Sequence, residues 1–155
     1  MTEIRTIEAL RAKLEAERSL SGATLVELEL DGEDLEGAIF VDVRFSRCRL
    51  RLARLPDAML LRCTFVDGDL RAADLSGAVL EEVRFVAETQ ARIEATGVEL
   101  VEAVLSGLDL RALALESANA ASALLDDARL AGVPLTGALL AEADLSRAEL
   151  AGADL

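Results

Sequence analysis

The chain has 155 residues, enough for one domain with a continuous core, and 52% of them are apolar, with no Trp, Tyr or His and only four Phe. Such a core is built from aliphatic layers, and without histidine the commonest general base and metal ligand is missing. A net charge of −13 opposes direct nucleic-acid binding, which calls for clustered Lys and Arg, and charged residues interrupt the chain too often for any stretch to cross a bilayer.

The first element in chain order is an amphipathic helix, expected between Thr2 and Ser19. Ile4, Ile7, Leu10 and Leu14 fall at helical spacing, and Glu8, Arg11, Glu15 and Arg18 can line the wet side. Thr2 or Thr6 is the expected N-cap, with Gly22 just beyond the end. The stretch Met1 to Arg11 is charged and lacks the apolar centre of a signal peptide, so a cytoplasmic protein is expected. Residues 1–19 read as an N-terminal capping α-helix and residues 20–155 as a second unit with a rule of its own.

From Leu20 to Leu155 a large apolar residue, here called the centre, recurs at every fifth position. The residue two before it is small, as in Ala23, Ala53, Ala73, Ala103 and Ala153. Along an extended segment two such residues point the same way, so both face inward. Glycine keeps the same register: Gly22, Gly32, Gly77, Gly107 and Gly152 all follow a centre by two, and only Gly68 does not. A repeated turn with positive φ at its second central residue, as in type II, requires that placement. An α-helix cannot host the pattern, because a spacing of five carries the apolar residue around every side.

The sequences Ala73-Asp74-Leu75-Ser76-Gly77 and Ala143-Asp144-Leu145-Ser146-Arg147 resemble the pentapeptide-repeat proteins, and the resemblance runs from about Leu20 to Leu155. It implies an all-β solenoid, a right-handed quadrilateral β-helix with four repeats per coil and about seven coils. In that geometry residues twenty apart stack. Phe45, Phe65 and Phe85 form one column, continued by Leu25 below and Leu105, Leu125 and Leu145 above; Leu30, Leu50, Leu70, Leu110, Leu130 and Leu150 form a second. Between residues 86 and 97 the rule fails, with Gln90 and Ala95 at centres. This stretch is expected to be two degenerate repeats, with a ten-residue excursion or a short helix over 87–95 as the alternatives.

Cys48 and Cys63 occupy small inward positions without a third ligand, and read as buried and inert rather than redox-active or metal-binding. The carboxylates before centres recur with the repeat and read as a solvated surface, and no phosphate loop, nucleophile elbow or metal-ligand spacing is present. The expectation is therefore no enzyme, no cofactor and no metal.

Three surfaces are candidates for partner binding. The outward residues Ile39, Val41, Met59, Leu61, Val79 and Val101 are aliphatic and are assigned to one face, a patch large enough to mark an interaction site for a protein partner or for a second copy in a homodimer. Arg44, Arg47, Arg49, Arg51, Arg54 and Arg62 form a basic belt, either balanced within the chain or a docking belt for an acidic partner. Leu140, Leu145, Leu150 and Leu155 lie in the last coil, an uncovered edge expected to pair with a second copy in a homodimer. The expected function is a non-catalytic protein-interaction scaffold with a protein partner. The alternative follows from resemblance to the quinolone-resistance members of the family: an acidic DNA mimic that binds DNA gyrase or topoisomerase IV, type II topoisomerases.

Overall fold

An apolar centre at every fifth position folds this chain into a four-sided β-solenoid of about six turns with one short helix at its N-terminal end. The computed structural model describes residues 1–155. Each side is an extended rung of three residues, with the small residue and the centre inward and the residue between them outward. Two further residues turn the corner. At many corners the N–H that follows the turn donates back to the centre's carbonyl, as Glu33 does to Leu30 at 3.1 Å and Ala143 to Leu140 at 3.1 Å. The second corner residue has positive φ, 71° at Gly32 and 59° at Glu142, which is the type II geometry expected from the glycine register.

The sequence opens with β1 (Thr2–Ile4), α1 (Ile7–Glu17), β2 (Ser19–Ser21) and β3 (Ala23–Val26). The turns that follow contribute β4 (Ile39–Val41), β5 (Arg44–Ser46), β6 (Met59–Leu61), β7 (Thr64–Val66), β8 (Val79–Glu81) and β9 (Arg84–Val86), then β10 (Ile93–Glu94) and β11 (Leu113–Ala114). All pairs are parallel. One sheet runs β1-β3-β5-β7-β9, a second β2-β4-β6-β8, and β10 pairs β11. Phe45 faces Phe65 and Phe65 faces Phe85, each step twenty residues, hence four repeats per turn. The inward side chains form one continuous cluster of 44 buried apolar residues, so the rod is filled and holds no channel.

The N-terminal segment differs from its expected form. Thr2–Ile4 is a strand, paired with Ala23–Leu25, and it places Ile4 beneath Leu25 as one more layer of the core. The helix starts later, at Ile7, because Thr6 caps it by accepting from the Ala9 N–H at 3.3 Å. It ends at Arg18, whose left-handed backbone (φ 54°) lets its N–H reach the Leu14 carbonyl at 2.8 Å, without Gly22. Leu10 is fully buried against the first turn, so the helix closes that end of the core.

The second difference lies between Val86 and Ile93. These residues are neither degenerate repeats nor a helix, and the excursion is shorter than ten residues. Below them partners are twenty apart; across them Asp69 pairs Glu94, Asp74 pairs Glu99 and Val79 pairs Val104, all twenty-five apart. One repeat length, residues 87–91, therefore leaves the rod, and the spacing returns to twenty at Glu99 and Asn119. An insertion of five residues leaves a phase of five unchanged while moving every later residue one face back. The solenoid has about six turns, against the seven expected, and the insertion accounts for a quarter of one turn.

Two polar side chains hold the excursion to the rod. Asp67, 5% exposed, accepts from the backbone N–H groups of Glu88 at 2.8 Å and Thr89 at 3.1 Å, and from the Thr89 hydroxyl at 2.8 Å. Arg92 at the other end donates to the carbonyls of Arg111 and of Gly132, two turns of backbone. Where the chain rejoins, Ile93 fills the small position and Ala95 the centre, an exchange of volumes beside an apolar void of ≈ 20 Å³.

Candidate interaction surface

The insertion reassigns the columns above it, and the outward surface must be read in that order. Take the faces as they follow Leu20. The first is centred on Leu25, Phe45, Phe65 and Phe85, the second on Leu30, Leu50 and Leu70, the third on Leu35, Leu55 and Leu75, and the fourth on Leu20, Phe40, Leu60 and Leu80. Above the insertion Leu105, Leu125 and Leu145 continue the fourth face, not the phenylalanine column. Leu110, Leu130 and Leu150 return to the first face, and Ala95, Leu115, Leu135 and Leu155 continue the second. The phenylalanines do stack: Phe45 and Phe65 lie 4.4 Å apart at 7°, Phe65 and Phe85 5.4 Å apart at 17°.

On the fourth face the outward residues are Ile39, Met59, Val79, Val104 and Leu124, each bridged to the next, with Asp144 closing the column. Val41 and Leu61 stand beside the first two of them. Five aliphatic side chains on five consecutive rungs thus make a straight stripe along the rod. Met59 is 38% exposed and Leu124 42%. Val101 does not belong to this stripe. It follows the third-face centre Leu100 at the corner, where its carbonyl accepts from the Gly77 N–H at 2.8 Å, and Val104 is the residue that continues the column above Val79. A column spaced by twenties alone misses Val104 and Leu124, because the insertion shifts them by five residues.

The basic belt is matched inside the chain. Arg47 meets Glu27 at 2.7 Å, Arg49 meets Glu29 at 2.9 Å, Arg51 meets Asp31, Arg54 meets Asp34 at 3.4 Å and Arg62 meets Asp42 at 2.9 Å. Each partner is twenty residues earlier, directly below on the ladder. Arg44 instead reaches Glu88 of the excursion at 3.4 Å. All six arginines therefore carry a counter-ion. Exposed pairs of this kind are worth about 0–1 kcal/mol each, so their effect is to neutralise the surface more than to hold the fold. Asp31 and Asp42 are held below the ordinary carboxylate value first by their hydrogen bonds from Arg51 and Arg62.

The last turn places Leu140, Leu145 and Leu150 half-buried and Leu155 72% exposed. In inner turns the centre's N–H donates to the next turn, as Leu130 does to Glu149 at 2.9 Å; the corresponding N–H groups of Leu140, Leu145 and Leu150 have no partner within this chain. Cys48 and Cys63 are buried free thiols in separate inward positions, their Sγ atoms near the carbonyls of Leu25 at 3.5 Å and Phe40 at 3.4 Å. Burial pushes both thiols up to about 11, which leaves them uncharged at neutral pH.

The family model for pentapeptide repeats matches in eight copies, over residues 19–57 and 123–155. No curated protein sequence matches the chain. By structure it is similar to a trypsin-treated variant of QnrB1, a plasmid-mediated fluoroquinolone resistance protein. That match has 19% identity, covers 87% of this chain and 64% of that one, and has a TM-score of 0.46. This chain thus spans less than two thirds of the QnrB1 chain. It is also similar to HetL, a pentapeptide repeat protein involved in heterocyst differentiation regulation from the cyanobacterium Nostoc sp. strain PCC 7120, with 21% identity, 97% and 96% coverage and a TM-score of 0.37. Rfr23, a pentapeptide repeat protein from the cyanobacterium Cyanothece 51142, gives 21% identity, 96% and 94% coverage and a TM-score of 0.44.

Proposed function

The chain is a pentapeptide-repeat protein, and on that premise we propose that it is a non-catalytic protein-interaction scaffold whose docking surface is the fourth face of the rod. The observation that carries this reading is the stripe of Ile39, Met59, Val79, Val104 and Leu124. The outward columns of the second and third faces run acid, base, acid over three rungs, as Glu29, Arg49 and Asp69 do, and that of the first face runs Thr24, Arg44, Thr64 and Arg84, whereas this column stays aliphatic for five rungs. A filled rod with a straight ladder holds such a stripe in fixed geometry, so a partner meets a preorganised surface and little ordering cost falls on the scaffold. Affinity then comes from burying the aliphatic side chains, with the charged border selecting the partner.

Mimicry of duplex DNA towards a type II topoisomerase is the other reading, and the net charge of −13 favours it. The layout of that charge favours it less. A duplex presents unbroken rows of phosphates, whereas the columns Asp34–Arg54–Asp74 and Glu29–Arg49–Asp69 place a cation between acids.

Two assays separate the readings. Affinity capture from the native host with wild-type bait is compared with bait in which Met59→Asp and Leu61→Asp are combined. Loss of the partner with an unchanged circular-dichroism spectrum is expected, and retention of the partner contradicts the docking face. Gyrase supercoiling, with and without fluoroquinolone, is expected to be unchanged at micromolar protein. Inhibition or protection would instead support the topoisomerase reading.

A further inference from the structure

What the fourth face binds can be read from its borders, and this step rests on the docking reading above. One border is the corner leading in from the third face. It carries Glu36, Asp57, Glu102 and Glu142 and no Lys or Arg. The opposite border carries Asp42, Glu81, Glu82, Asp126 and Asp127 with Arg62 and Arg147. Those two arginines are taken by Asp42 at 2.9 Å and Asp127 at 2.7 Å. Asp57, Glu81, Glu82, Glu102 and Glu142 are exposed and have no basic side chain within 4.0 Å. The chain's arginine belt is thus neutralised internally, while free carboxylates line both sides of its apolar stripe.

We propose that the fourth face binds a basic amphipathic α-helix, laid along the rod with its apolar stripe on Met59, Val79, Val104 and Leu124 and its Lys or Arg side chains against the two carboxylate borders. The charges exclude the competing occupants. A second copy of this chain would set carboxylate rows against carboxylate rows, and an anionic lipid surface would be repelled in the same way. Dimensions decide between a helix and an extended peptide. Rungs repeat at ~4.8 Å along the axis, an extended chain repeats its side-chain face every ~6.7 Å, and over the four steps from Ile39 to Leu124 the mismatch reaches about 8 Å. A helix repeats every ~5.4 Å, so over the same four steps it drifts by only about 2.4 Å. Long basic side chains flanking a helical apolar stripe also reach outward over the borders, where Glu82 and Glu102 stand.

The test uses the full 155-residue chain and three labelled peptides of about 18 residues, about five helical turns. The first has leucine along one face and lysine on both flanks, the second has glutamate in place of lysine, and the third scrambles the first so that no stripe forms. Fluorescence anisotropy is expected to show the lysine-flanked peptide binding at least about tenfold more tightly than either control, with affinity falling as salt rises. Val104→Asp is expected to weaken it by about tenfold or more, and the combined Glu82→Gln and Glu102→Gln to flatten the salt dependence. Met59→Asp, on another rung, repeats the measurement should Val104→Asp alter the circular-dichroism spectrum. Equal binding of the glutamate-flanked peptide, or a Val104-dependent dimer of this chain that the lysine-flanked peptide cannot displace, overturns the helix assignment and leaves the docking face standing. Binding that ignores Val104→Asp, or no binding of the lysine-flanked peptide, overturns the helix assignment also, and the capture experiment then judges the docking face by itself.

Discussion

Asp67 is the one charged residue the core encloses, and its role is local. Burial pushes its carboxyl up, but the hydrogen bonds from Thr89, Glu88 and Gln90 outweigh that and hold it below the ordinary value. Asp67→Asn leaves some of these N–H groups unmatched and is expected to cost about 1–3 kcal/mol, with faster amide exchange at residues 88–90 as the second readout. Gly68, the one glycine out of register, stands above the Cys48 carbonyl with φ 102°, and an added Cβ would lie 2.6 Å from that oxygen. Leu52 shows the reverse case: it holds φ 57° at a corner where glycine is at ease, and it is 67% exposed. Leu52→Gly is expected to raise stability by up to about 1 kcal/mol, read as a higher urea midpoint. The ion ladder gives a signed pH dependence. Arg51, Arg62, Arg111 and Arg147 lower the carboxyls of Asp31, Asp42, Asp109 and Asp127 from 3.8, so that contribution is full above about that pH and is lost as pH falls through the lower folded values. The urea midpoint at pH 3 is therefore expected below that at pH 6, and no histidine adds a transition near neutrality.

Among the elements, α1 and the excursion are the two departures from the repeat. Leu10, fully buried, carries the helix onto the first turn, and Arg11 meets Glu33, an acid at an inward position that the helix covers. Leu10→Ala is expected to cost about 2–5 kcal/mol and to expose the first turn to a hydrophobic dye. For the excursion, deletion of residues 87–91 keeps the phase and leaves Arg92 at the corner that Arg47 already occupies with φ 52°. The shortened chain is expected to fold with the same columns, whereas deletion of three residues from the same place should disrupt every later turn. A length that equals one repeat is invisible to periodicity, which is why the rod was legible in the sequence and the upper half of its face assignment was not. The traces were Gln90, a polar residue at a centre, and the off-register Asp67-Gly68 one turn earlier. Thr2–Ile4 was hidden for another reason: three residues carry no period, and only pairing with β3 makes them a strand.

Over the whole molecule, charge and apolar surface are laid out separately. Arginines from Arg44 to Arg62 are matched by acids, mostly of the turn below, while the fourth face keeps its aliphatic column and its free carboxylate borders. A rigid ladder gives that face fixed dimensions, and the elongated basic partner proposed for it matches those dimensions and charges. The insertion matters to the proposed docking face, since it moves Val104 and Leu124 into line with Ile39, Met59 and Val79 and leaves Val101 at the corner, outside that column. Two valines three positions apart in sequence thus have opposite expected roles. The most direct measurement is affinity capture with wild-type, Val104→Asp and Val101→Asp baits, each checked for an unchanged circular-dichroism spectrum. The account predicts that Val104→Asp loses the partner and Val101→Asp retains it; loss with Val101→Asp and retention with Val104→Asp would contradict it.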